Sequence, residues 1–178
     1  MFTNKLHAGS DFPKLSVSDL SGNLIHLAKA NEPHEWRMVV VYRGLHCPLC
    51  TKYLNALEGY RETLSDMGID IVAVSADSKA QLAAHKERLQ VSFPLGYGLS
   101  VEDMQALGLY ISTPRSEQET DHTFAEPGLF IINGQGTLQA VDISNNPFMR
   151  PDLEQLVTTL AWVRNPENNY PVRGTWRN

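Results

Sequence analysis

"WRMVVVYRGLHCPLCTKYLNALEGY", residues 36–60, passes from a β-branched run to a helical spacing and carries both cysteines of the chain at the junction. The run from Trp36 to Gly44 shows no alternation of period two, which predicts a central strand buried on both faces and ending at Gly44. From Thr51 onward Tyr53, Leu57, Tyr60, Leu64 and Met67 recur at spacings of four and three, so they form one stripe on one helix, which Gly68 terminates. With the helix starting near Pro48, Cys47 is its N-cap and Cys50 lies one turn inside.

That placement has a chemical consequence. The first N–H groups of a helix lack internal partners and carry partial positive charge, so a thiolate at the N-cap is stabilised below the free thiol value of about 8.5. Cys47 is therefore expected to be the low-pKa, solvent-reachable nucleophile and Cys50 the shielded thiol that resolves a mixed disulfide or sulfenic acid on it. Arg43 is a candidate for added positive charge at the mouth. His46 either biases the ionisation of Cys47 or is a solvent-facing loop residue, and His85, between Leu82 and Leu89, reads as a packed or half-exposed histidine. The alternative for C-x-x-C is half of a zinc site, yet His7, His26, His34, His46, His85 and His122 form no H-x₃₋₅-H group to complete one. C-x-x-C beside a βαβ pattern favours redox chemistry, with no cofactor and no metal required.

Working outward, "FPKLSVSDLSGNLIHL" turns at Ser21-Gly22-Asn23 and predicts an N-terminal β-hairpin. "IDIVAVSAD" is a second buried strand, "SKAQLAAHKERLQ" a helix with Leu82 and Leu89 inward, "FPLGYG" a short strand or turn, and "SVEDMQALG" a helix capped by Ser100. Residues 112–123 are polar and unpatterned and read as a loop at the rim of the cysteine site. "EPGLFIINGQGTLQAVDIS" is a strand pair around Asn133–Gly136, and "PDLEQLVTTLAWVRN" is a closing helix with Pro151 in its first turn and Leu153, Leu156, Val157, Leu160 and Val163 as its stripe. Pro127 opens a strand, either as a turn residue or through a cis bond facing the cysteines. The order predicts an α/β domain over residues 1–165, with a mixed central sheet and helices on both faces, followed by a C-terminal arm over 166–178.

Composition narrows the function classes. A chain of 178 residues with 42% hydrophobic content supports one core, and a net charge of −5 without a basic run provides no footprint for nucleic acid or an anionic membrane. The N-terminus lacks an apolar signal region and no apolar run approaches the roughly 20 residues that span a bilayer, so a cytoplasmic location is expected. Two cysteines make no disulfide framework.

"YRGLHCPLC", the N-terminal hairpin, "IDIVAVSAD" and "EPGLFIINGQGTLQAVDIS" together resemble the peroxiredoxin-like redoxins, the alkyl hydroperoxide reductase and thiol-specific antioxidant family of the thioredoxin-fold superfamily. The resemblance runs to about Asn165. It implies a thioredoxin-like fold with Cys47 attacking, Cys50 resolving and Pro127 as the cis-proline opposite them. It also implies a small peroxide or a disulfide-containing protein as substrate and an external thiol as reductant. The chain departs from the family where peroxiredoxins carry a proline and a Thr or Ser before the attacking cysteine, since Val40 and Gly44 stand there, and where they carry an arginine before the G-L-F strand, since Pro127 stands there. Nor does the first strand offer the buried carboxylate of thioredoxins; Glu126, beside Pro127, is the candidate substitute and otherwise a solvated loop residue. These departures put disulfide reduction ahead of peroxide reduction as the expected activity, with a redox-sensing or zinc-holding module that is no enzyme as a further alternative.

Overall fold

Trp36–Val41 forms β3, the middle strand of a five-stranded sheet, in the computed structural model, which describes residues 4–176. The first three residues of the expected domain and the last two of the expected arm lie outside the described residues. β3 runs parallel to β4 (Ile69–Val74) and antiparallel to β8 (Gly128–Ile132). β5 (Leu95–Gly96) extends the sheet beyond β4, and β9 (Leu138–Ile143) beyond β8, giving the mixed order β5-β4-β3-β8-β9. The N-terminal hairpin of β1 (Ser16–Ser18) and β2 (Leu24–His26) is a separate sheet, joined to the main body by the Ser18–Tyr97 bridge.

The alternating side chains of the central strands fill two cores. Met38, Val40, Ile71, Ala73, Leu129 and Ile131 pack on one face, under α1 (Pro48–Glu58), α2 (Arg61–Asp66), α3 (Lys79–Lys86) and α5 (Leu153–Arg164). Val39, Val41, Val72, Val74, Phe130 and Ile132 pack on the other, covered by Val17 of the hairpin, Leu27 and Met104 of α4 (Val101–Ala106). Burial on both faces is why these strands read as continuous apolar runs. Both cysteines belong to the first core. The expected α/β class, mixed sheet, helices on both faces and N-terminal hairpin are all present.

Several boundaries differ from the sequence reading. β3 ends at Val41 and not at Gly44: Tyr42 N–H still donates to Val74 O at 3.1 Å, but Gly44 at φ +130 turns the chain away from the ladder. The helix after the cysteines is interrupted at Gly59–Tyr60, where Gly59 and Tyr60 N–H donate to the carbonyls three residues back. Its stripe survives the break, with Leu57 and Leu64 buried and Tyr53, Tyr60 and Met67 at the margin. Gly68 ends it at φ +79, as expected. α3 stops at Lys86, short of Gln90. Pro151 precedes the N-cap, which is Asp152, whose carboxylate accepts from Gln155 N–H at 2.8 Å. The ends of the 112–123 loop are tied by β6 (Ile111–Ser112) pairing with β7 (Phe124–Ala125), strands too short to carry a periodic signal. Among the described residues the one cis bond is Glu32–Pro33, so Glu126–Pro127 is trans: the chain runs extended from β7 into β8, with Pro127 O accepting from Ser144 N–H at 3.0 Å. Among the described residues no helix is long and apolar enough to cross a membrane.

A charge sits inside the central strand. Arg37, 1% exposed, faces Asp70 in the β3–β4 register and binds its carboxylate twice, at 2.9 and 2.6 Å, while its third nitrogen donates to His26 O at 2.7 Å. Asp70 also accepts Asn31 N–H at 2.8 Å, so the pair clamps the hairpin and its exit to the sheet. Removing one partner of a buried pair costs about 3–5 kcal/mol because the other charge is stranded. Asp70→Ala is therefore expected to lower the unfolding free energy by about 3 kcal/mol in urea titrations, the low end because Asp70 keeps 11% of its side-chain surface. A loss below about 1 kcal/mol would class the pair with exposed ion pairs.

Candidate active site

Cys47 stands at the N-cap of α1 with an extended backbone, φ −109 and ψ 98, and Pro48 supplies the first helical residue with its φ already set. Two backbone donors make three hydrogen bonds to its main-chain and sulfur acceptors. Cys50 N–H reaches Cys47 Sγ at 3.3 Å and Cys47 O at 3.1 Å, and Thr51 N–H reaches the same carbonyl at 3.2 Å. The sulfur thus takes the place of the oxygen of an ordinary capping side chain.

Both thiols are free, and the environment drives them apart. Cys47 is lowered to about 6: the Cys50 thiol hydrogen-bonds to it, and the Cys50 N–H, Arg150 and Arg43 act in the same direction against the effect of burial. Cys50 is pushed far upward, first by burial and then by its bond to Cys47. The sequence reading expected a low-pKa, solvent-reachable Cys47 beside a shielded Cys50; Cys47 is not solvent-reachable, being 2% exposed against 0% for Cys50.

Arg150 is the residue that sequence reasoning missed. It comes from the segment between β9 and α5, a hundred residues along the chain from Cys50. Its Nη2 donates to Cys50 Sγ at 2.8 Å, its Nη1 to Leu49 O at 3.4 Å, and its guanidinium lies 4.9 Å from the centre of the Tyr53 ring. No spacing in "NNPFMRPD" marks it, since only the packing of this segment against α1 brings it to the cysteines.

Arg43 and Glu126 are neighbours of the site and of each other. Arg43 Nη2 is 3.3 Å from Glu119 Oε1, its Nε is 3.4 Å from Glu126 Oε2, and its guanidinium covers the Phe124 ring at 4.7 Å. Two carboxylates share one cation, which weakens its pull on Cys47. Glu126 is buried and accepts from Ser112 Oγ at 2.7 Å, so it is not a solvated loop glutamate. Pro127 is buried and borders a small cavity with Tyr53, Leu129 and Arg150. His46 leans on the Phe124 ring at 4.6 Å; burial and then Arg43 lower it to about 4, so it is neutral at pH 7 and brings no charge to Cys47. His85 is fully buried, bonded through Nε2 to Thr51 Oγ1 at 2.8 Å.

The 112–123 loop is tied to neighbours of the site. Glu119 reaches Arg43, His122 Nε2 lies 3.6 Å from Asp77 Oδ1, and Asp121 accepts from Gln81 Nε2 at 2.9 Å. Among the described residues no group of three or more His, Cys, Asp or Glu side chains is placed to hold a metal ion. A low-pKa sulfur, a protonated thiol bonded to it and a cation on that thiol form an arrangement able to attack an electrophile and then close a disulfide.

Comparison with known proteins agrees. A putative peroxiredoxin of Mycobacterium tuberculosis is 30% identical over 113 residues, 61% of this chain and 68% of that protein. The fold is similar to that of a peroxiredoxin-like protein from Aquifex aeolicus, with TM-score 0.73 and 16% identity over 90% of this chain and 89% of the other. It is also similar to the peroxidoxin BcpB of Mycobacterium tuberculosis, with TM-score 0.72 and 14% identity over 90% and 99%. The model of the AhpC/TSA family matches residues 8–141, a span that takes in both cysteines and stops short of Arg150. On that match, and with its sheet built as in the peroxiredoxins, the chain belongs to the AhpC/TSA family of thiol-dependent oxidoreductases.

Proposed function

We propose that the protein cycles Cys47 and Cys50 between dithiol and disulfide, with Cys47 attacking and Cys50 resolving, and that its oxidising substrate is a small hydroperoxide. The observation that carries the cycle is the split between the two thiols, Cys47 lowered to about 6 while its partner is pushed upward. Only the thiolate attacks, and only a thiol held protonated beside it waits its turn.

The preference for a peroxide over a protein disulfide reverses the order expected from the sequence, which rested on the lack of side-chain donors at Gly44 and Pro127. Two features outweigh it. At 2% exposure the Cys47 sulfur is closed to a folded partner carrying a disulfide, whereas a hydroperoxide is small enough for a buried site. Arg150, unseen in the sequence, places a cationic donor beside the pair. In the first step the thiolate attacks the terminal peroxide oxygen, an S–O bond forms as the O–O bond breaks, and the leaving alkoxide or hydroxide takes a proton. In the second, Cys50 attacks the sulfenic sulfur, its proton leaves with the hydroxyl as water, and the S–S bond closes. An external thiol reductant restores the dithiol by exchange. Arg150 favours the Cys50 thiolate that forms in the second step. The second reading, reduction of disulfides, keeps the same couple and needs the 112–123 loop to open.

Stopped-flow mixing with peroxide separates these readings. The second-order rate constant is expected to rise with pH through about 6 and to level off above it, because deprotonation creates the attacking form. Cys47→Ser removes peroxide consumption, while Cys50→Ser accumulates a sulfenic acid that dimedone traps. Faster reaction with a protein disulfide than with peroxide would favour the reductase instead. Arg150→Ala is expected to slow disulfide closure roughly tenfold or more, since a neighbouring cation lowers a thiol pKa by about 1–3 units. Sulfenic-acid lifetime measures that step, and an unchanged lifetime would take Arg150 out of it.

A further inference from the structure

The turn that delivers Cys47 to the helix is short and held at few points. Cys47 N–H donates to Gly44 O at 3.1 Å, closing Gly44–Cys47 as one tight turn, and Leu45 O accepts from Arg88 Nη2 at 3.1 Å. The other main-chain group of Leu45 points inward, where its N–H donates to Asp77 Oδ2 at 2.8 Å. Asp77 follows β4, so this bond ties the turn to the neighbouring strand of the sheet.

Asp77 and Gly44 fit each other with no spare room. Gly44 adopts φ +130, a conformation open to glycine, and a Cβ there would overlap Asp77 Oδ1 and lie 2.8 Å from Cγ and 2.9 Å from Oδ2. The Asp77 carboxyl is 0% exposed, and its backbone is fixed from both sides, N–H on Ser75 Oγ at 3.2 Å and O on Gly98 N–H at 2.9 Å. Burial raises the carboxyl above the usual carboxylate range, the unfavourable effect of withdrawing it from water. Against that stand the Leu45 N–H and His122 Nε2, the latter 3.6 Å from Oδ1. A buried acid with its best hydrogen bond on the turn before the reactive sulfur does more for that turn than for the core.

We propose that Asp77 is the positioning residue for the Cys47 sulfur: its carboxyl holds the Leu45 N–H and packs on Gly44, setting the turn that aims Cys47 Sγ at the Cys50 N–H. The inference rests on the reading of Cys47 as the attacking thiol. Without the acceptor the turn relaxes, the sulfur drifts from its donors, and the thiolate loses stabilisation.

The test reads the sulfur directly and needs no substrate. In the full-length chain carrying Cys50→Ser, whose hydroxyl keeps a donor on Cys47, the thiolate is titrated by its ultraviolet absorbance and by iodoacetamide alkylation, with circular dichroism to establish folding. The parent is expected to titrate below the free thiol value. Asp77→Ala, and Gly44→Ala, whose methyl group displaces the carboxyl, are each expected to raise that midpoint by about one unit toward the free value of ~8.5 and to slow neutral-pH alkylation roughly tenfold. Asp77→Asn keeps an acceptor for Leu45 and is expected to stay near the parent. Folded Asp77→Ala and Gly44→Ala variants with the parent's midpoint overturn the proposal, as does an Asp77→Asn midpoint as high as that of Asp77→Ala. Should Asp77→Ala fail to fold, Gly44→Ala and Asp77→Asn decide. A parent that titrates near the free thiol value overturns the assignment of Cys47 as the activated thiol, a result separate from the role of Asp77.

Discussion

The hydrogen bond from Cys50 N–H to Cys47 Sγ, 3.3 Å long, is the contact on which the site depends. It exists because a helix begins with N–H groups that its own backbone cannot satisfy, and because the chain puts a sulfur where a capping oxygen usually stands. The same bond fixes the start of α1, holds Cys47 in an extended backbone and sets the two thiols one turn apart. Shift the helix start by one residue and the sulfur loses its donor.

The sheet supplies the rigidity that this bond requires. β3 delivers the turn from the middle of five strands, paired on both edges and buried on both faces, so the position of Tyr42 is set by its hydrogen bond to Val74 O on the β4 side and by packing in the first core. From there to Cys47 the chain runs through loop, and the contacts that hold it come from far along the sequence: Asp77 and Arg88 on Leu45, Glu119 and Glu126 on Arg43, Phe124 under Arg43 and His46. A reactive group on a loop keeps its geometry only when rigid elements grip that loop, and here four separate segments do so.

Burial sharpens the chemistry. Taking both sulfurs out of water penalises a second negative charge, so the pair carries its charge on Cys47, which accepts the Cys50 thiol and N–H, and its proton on the more deeply buried Cys50. Arg150 sits on the protonated partner and works against that burial.

By itself the sequence determined the architecture and the place of the cysteine pair. Apolar runs marked β3 and β4, Ser78 and Ser100 capped their helices with hydroxyls as the residue types require, and the junction put Cys47 at an N-cap, because these are local properties of spacing and residue type. Strand ends, the break at Gly59–Tyr60 and the two-residue strands β6 and β7 escaped it, since hydrogen-bond geometry over one or two residues leaves no periodic trace. What only the tertiary structure decided is everything that acts on the cysteines from a distance: Arg150 on Cys50, Asp77 beneath Gly44, the pairing of Arg43 with Glu119 and Glu126, the trans bond at Pro127 and the closure of Cys47 from solvent. Each joins residues from segments distant in the chain or depends on how such segments pack. Local pattern sets where a thiol stands along the chain and gives Cys47 its nearest donors, and the packing of remote segments adds Arg150 and Arg43 and sets the access.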